Sequence, residues 1–139
     1  MKAILTIHGV GALTALAFVH TLEEPSRFTH SRQVGAYLGL VPKQSQSGSQ
    51  DPQLRISKAG DGYVRKLLVN CAQRMLGPFG QDSDLRRYGL RIQERGGKNA
   101  KKRAVIAVAR KLAVLMHQLW STGEVYQPLR HPGPQLDAV

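Results

Sequence analysis

An all-α fold is what this sequence predicts, and three observations predict it. Apolar residues recur at three- and four-residue spacing from Val64 to Met75 and again from Val105 to Leu119. Glycine and proline stand where such patterns stop, at Pro25, Gly39, Gly77-Pro78 and Gly96-Gly97. With 139 residues, 42% of them hydrophobic, the chain has material for one domain around one modest core.

About five helices follow in order. Residues 12–22 (ALTALAFVHTL) read as a short helix after a glycine turn, broken by Pro25. Ser31 is placed to cap a second short helix that runs to about Tyr37. From 40 to 60 the character changes to a long polar loop with two prolines and clustered serines. A short two-stranded ribbon, Leu38 to Lys43 against Gln53 to Ser57, stays open there. Asp61 can cap the next helix, whose buried side is Val64, Leu67, Leu68, Cys71, Ala72 and Met75. Asp82 or Ser83 begins another helix to about Arg95, with Leu85, Tyr88 and Ile92 inward and Arg87, Arg91 and Arg95 as a basic stripe. The longest helix runs from about Asn99 to Ser121, buried along Val105, Val108, Ala109, Leu112, Leu115, Met116 and Leu119. The helical domain is expected over 1–127, with 128–139 an extended or disordered tail.

Charge is the strongest global signal. Twenty Lys and Arg against nine Asp and Glu leave +11. Residues 86–111 carry ten of those cations and one acid, Glu94, whereas residues 1–50 carry four. A field so one-sided points to a polyanion, because each neutralised phosphate releases condensed counterions. The alternative is a solvated basic face. Lys101, Lys102 and Arg103 crowd the first turn of the last helix, where cations oppose the helix dipole, and a bound anion would compensate.

Cys71 is the single cysteine, so the chain holds no disulfide framework, and five histidines lie without ligand spacing. A reduced, cytoplasmic setting is the simplest expectation. The opening MKAILTIHGVGALTALAF imitates a secretory signal, but His8, Gly9 and Gly11 interrupt its apolar core. The run is also too short to cross a membrane, so no membrane partner is expected.

Three constellations bear on chemistry. Ile7-His8-Gly9-Val10-Gly11 opens a small-residue helix. Glycines there let backbone N–H groups approach a phosphate beside a helix N-terminus, as in a helix-hairpin-helix element. An ordinary glycine turn reads equally well. Ser45, Ser47 and Ser49 sit in the polar loop, flanked by Lys43, Arg55 and Lys58. A serine beside cations can attack a phosphodiester, although chemistry alone favours the reading as plain loop residues. Finally, Asp51, Asp61, Asp82, Asp84 and Glu94 fall in loops, caps or basic helices, so no three-carboxylate metal site is expected from this chain and no cofactor is assigned to it.

In order along the chain stand Ile7-His8-Gly9-Val10-Gly11, Arg27-Phe28, Ser31-Arg32-Gln33, Ala36-Tyr37-Leu38-Gly39-Leu40-Val41-Pro42, Ser47-Gly48, Arg55-Ile56-Ser57-Lys58-Ala59-Gly60 and Arg65-Lys66-Leu67-Leu68. Gly97-Lys98, residues 107–113 (AVARKLA) and Gly123-Glu124 with Tyr126 follow. The combination resembles the C-terminal transposase domain of the insertion-sequence 110/116/902 family, over roughly residues 4–128. That family usually has proline before the first hairpin glycine, where His8 stands here.

The resemblance implies a recombinase that excises and inserts a mobile element. It implies a helical domain supplying a serine nucleophile, completed by an RNase-H-like N-terminal domain whose acids hold divalent metal (Mg2+). The family serine precedes a glycine after the Gly-Leu-x-Pro segment, which selects Ser47. DNA is the implied partner, with a structured guide RNA in some members and a homo-oligomer in the full protein. The expected nucleic-acid contacts are Gly9, Gly11, Lys43, Arg55, Lys58, Arg65, Lys66, Arg87, Arg91, Lys101, Lys102 and Arg103. No acidic domain precedes the hairpin motif, so the sequence is expected to be a fragment, a degraded copy or half of a split enzyme. A non-catalytic helix-hairpin-helix module or an inactive remnant is the competing expectation.

Overall fold

The computed structural model describes residues 2–40 and 59–129. It is all helical among them: α1 (Lys2–Leu5), α2 (Ala12–Leu22), a 3-10 turn (Pro25–Arg27), α3 (Arg32–Tyr37), α4 (Ala59–Leu76), α5 (Asp84–Arg95) and α6 (Ala100–Thr122). Leu38 caps α3 and Leu40 is buried beyond it, with no strand at 38–40. The rest of the expected ribbon lies outside the described residues.

The helix α6 is the axis. It packs against α1, α3, α4, α5 and the 3-10 turn, while α2 lies on α4. Being surrounded, α6 buries more than a stripe. Ala104, Ala107 and Ala113 join Val108, Ala109, Leu112, Met116 and Leu119 inside, and Val105 and Leu115 are half-buried. Alanines let neighbours approach closely at little entropic cost. Phe18 of α2 meets Trp120 of α6 edge to face at 6.1 Å, a geometry the ring quadrupoles favour.

His117 ties the N-terminal half to this axis. It is 4% exposed, with Nδ1 2.8 Å from Ser31 Oγ and Nε2 2.9 Å from Pro25 O. A carbonyl only accepts, so Nε2 carries a proton and donates to Pro25 O, while Nδ1 and the Ser31 hydroxyl share the other bond. Ser31 therefore makes no side-chain cap for α3. Its hydroxyl serves a tertiary contact instead.

Helix ends follow local chemistry. Ser83 caps α5 by accepting from Arg86 N at 3.0 Å. Asp61 does not start α4, which begins two residues earlier at Ala59. Asn99 enters α6 in the left-handed region (φ 58°), after Gly96 and Gly97 at φ 72° and 93°. Beyond α6 the chain is extended yet pinned. Tyr126 N donates to Thr6 Oγ1 at 3.0 Å, Pro128 O accepts from Asp84 N at 2.7 Å, and the Tyr126 ring packs on the core. No helix of the described residues is long and apolar enough to cross a membrane.

Candidate nucleic-acid interface

Two helix faces and one neighbour make a groove of about 650 Å3. From α6 come Arg110, Lys111, Val114, Leu115 and Gln118, which share one side because they repeat at helical spacing. Tyr88 and Arg91 come from α5, and Arg32 reaches in from α3. The helix α3 passes close to α6 at Gly35, where an added Cβ would stand 3.0 Å from Arg110 Cγ. Lys111 Nζ rests over the Tyr88 ring, 4.7 Å from its centroid.

Four cations and one carboxylate, Asp84, line the groove. The side chains of Arg32, Arg91 and Arg110 make no hydrogen bond or ion pair with any described residue. Like charges gathered in one concavity repel one another, and a threaded row of phosphates relieves that repulsion. The arrangement can hold a polyanion through its backbone.

The expected contact residues divide sharply. Arg91 belongs to the groove. Lys66, Lys101 and Lys102 are exposed without a partner among the described residues. Three arginines are already engaged within the chain. Arg65 Nη1 donates to Leu38 O at 3.2 Å, closing the end of α3. Arg87 forms a fork on Asp82 at 2.8 and 2.7 Å. Arg103 folds back to Lys98 O and, at 2.9 Å, to Gly96 O. Ser47, Lys43, Arg55 and Lys58 lie outside the described residues. Arg32, Arg110 and Lys111 complete the groove; Arg110 and Lys111 belong to the cationic run at 86–111, but none of the three is among the expected contacts. A further signal is that Arg32 and the 107–113 run both sit inside family motifs.

The glycine hairpin joins α1 to α2. Gly9 turns at φ +101°, a conformation that glycine adopts without strain. Its carbonyl accepts from Arg74 Nη2 at 3.2 Å. Gly11 caps α2 with extended backbone (φ −88°, ψ 174°), and a Cβ there would meet none of the described residues within 4 Å. The fold therefore does not demand glycine at 11, which leaves space for a ligand at the start of α2. Below the hairpin, burial pushes the Cys71 thiol above its ordinary range, so it stays protonated and unreactive.

Comparison with known proteins gives the family. The family model described as Transposase IS116/IS110/IS902 family matches residues 1–89. The chain belongs to that family. It is 36% identical over 127 residues to the transposase for insertion sequence element IS1111A of Coxiella burnetii, covering 91% of this chain and 34% of that protein. A probable family 20 transposase of Pseudomonas aeruginosa is 31% identical over 129 residues, covering 92% of this chain and 37% of its own length. A pilin gene-inverting protein of Moraxella lacunata is 28% identical over 113 residues, 81% of this chain and 34% of that protein. The chain thus spans about a third of the length of these curated relatives. No solved structure matches it.

Proposed function

We propose that this chain is a DNA-handling module of a transposase, which grips duplex phosphates in the groove between α5 and α6 and supplies Ser47 as nucleophile. The groove's cations, three of them without a partner among the described residues, carry the binding half of the proposal. Family membership and the position of Ser47 before Gly48 support the chemical half. In that chemistry Ser47 Oγ attacks phosphorus, displaces a sugar oxygen and conserves bond energy for rejoining. Lys43, Arg55 and Lys58 would steady the developing charge. DNA is the partner, a structured RNA a second one, and the assembled enzyme an oligomer in the cytoplasm.

The resemblance also implies a divalent metal, and the described residues do not fit it. Asp82 is engaged by Arg87, and no three His, Cys, Asp or Glu side chains stand close enough to hold an ion among the described residues. Acids of a separate domain would hold it, and no step here is routed through it. A non-catalytic binding module is the second reading, favoured by the same lack of a carboxylate cluster among the described residues.

The test is anisotropy of labelled duplex DNA and of a structured RNA across a salt series. Wild-type binding should weaken steeply with salt. An Arg91→Ala/Arg110→Ala pair should flatten the log–log slope by about two, near 0.9 for each phosphate that is no longer neutralised. An unchanged slope would remove the groove from the interface. Weak binding that ignores salt would overturn the proposal.

A further inference from the structure

Between α4 and α5 a turn holds a large apolar ring in solvent: Phe79 is 93% exposed. The turn is not loose. Gly80 N donates to Gly77 O at 3.1 Å, with Pro78 at the position where its fixed φ favours the bend. Arg86 braces it from below, donating from Nε to Met75 O at 3.0 Å and from Nη2 to Gly77 O at 3.2 Å. Gly80 is packed so tightly that a Cβ there would collide with Met75 O. A braced turn that keeps a phenylalanine out of the core presents the ring to something.

Phe79 stands on the rim of a cleft of about 940 Å3, a volume within the range of small-ligand sites. The last turns of α4 bring Asn70, Gln73 and Arg74 to the wall, and the hairpin brings His8. Both amides offer donors and acceptors. Arg74 is anchored through Nη2, to Gly9 O at 3.2 Å and Cys71 Sγ at 3.6 Å. Its Nε and Nη1 donate to no described residue. The one carboxylate on the wall, Asp82, is engaged by Arg87. An aromatic face, two amides and an anchored guanidinium are what a nucleotide needs: a ring to stack on, groups to meet the base edge and a cation for the phosphate.

We propose that this cleft receives an unpaired nucleotide. The inference rests on the reading that the chain handles nucleic acid. It goes beyond that reading by assigning a second site with a different ligand. The two sites adjoin, because Tyr126 and Pro128 of the pinned tail line both the cleft and the basic groove. A strand junction fits this arrangement, with duplex phosphates on one side of the tail and an extruded base on the other.

The test compares a flush DNA duplex with the same duplex carrying one unpaired thymidine, both bound by the full chain. Wild type should prefer the bulged duplex about tenfold, in line with one stacked base. Phe79→Ala should abolish the preference while leaving flush-duplex affinity and the melting temperature unchanged. Phe79→Trp should keep the preference. Equal wild-type affinity for both duplexes overturns the inference and leaves the groove standing. So does a Phe79→Ala variant that keeps the preference, or one that loses only self-association, which would assign the ring to a protein contact. Binding to neither duplex at low salt would overturn the nucleic-acid reading itself.

Discussion

Arg65, Arg87 and Arg103 carry full charge, yet their guanidinium groups serve helix ends and a local carboxylate. A side chain with five donors in a planar fork satisfies orphan carbonyls well. Arg65 does so at Leu38 and Arg103 at Gly96. Arg87 instead pairs with Asp82, and the hydrogen bond from Arg87 holds the Asp82 carboxyl below the usual carboxylate range. A lowered folded-state pKa gives stability that is present above the unfolded value, about 3.9, and lost as pH falls through the folded one. On acidification, carboxyl NMR should show Asp82 protonating below the ordinary aspartate range, and Arg87→Gln should return it there. An Asp82 that titrates at the ordinary aspartate value in wild type would mean that the pair does not form in solution. The partners stand five residues apart across the start of α5, so no helical i, i+4 rule reveals them. That is why the basic stripe Arg87, Arg91 and Arg95 is uniform in sequence and divides in structure.

At the scale of elements, the period of apolar residues and the stop residues locate α2, α5 and α6 to within a residue or two. The short α1 is illegible because four residues make a single turn, too few to show a period. The 3-10 turn hides behind Pro25, which reads only as a breaker. Helix contacts are less legible still, because they turn on absent side chains. Gly89 sits buried in α5 where an added Cβ would lie 2.5 Å from Leu76 Cδ2 and 2.6 Å from Val108 Cγ2. In an exposed helix Gly→Ala gains about 1 kcal/mol. Here overpacking of about 1–3 kcal/mol opposes that gain. Gly89→Ala should therefore lower the urea midpoint, with a net loss of about 1 kcal/mol. A midpoint that rises would show that α5 and α6 have room to separate. The same logic hides how the groove is assembled, although three of its cations, Arg91, Arg110 and Lys111, stand in the basic run at 86–111. Arg32 and Arg110 line one groove where α3 passes close to α6 at Gly35.

At the scale of the whole molecule, the groove's charge and the proposed chemistry belong to different parts of the chain. The cations that define the groove belong to α3, α5 and α6, whereas the proposed nucleophile Ser47 belongs to the segment between α3 and α4. Family motifs at both ends of that segment single out Ser47 for this proposed role, while composition alone does not distinguish it from Ser45 and Ser49. The chain also spans about a third of its curated relatives, and its described residues gather no carboxylate cluster. Binding and strand transfer should then separate experimentally. The chain alone should bind labelled element-end DNA and form no covalent product. Adding in trans, with Mg2+, the N-terminal domain that the family resemblance implies should yield a denaturant-resistant protein–DNA adduct. Ser47→Ala should abolish that adduct and leave DNA affinity unchanged, while Ser45→Ala and Ser49→Ala should retain it. An adduct that survives Ser47→Ala would move the nucleophile elsewhere. If none forms although DNA is bound tightly, the non-catalytic module becomes the function of this chain.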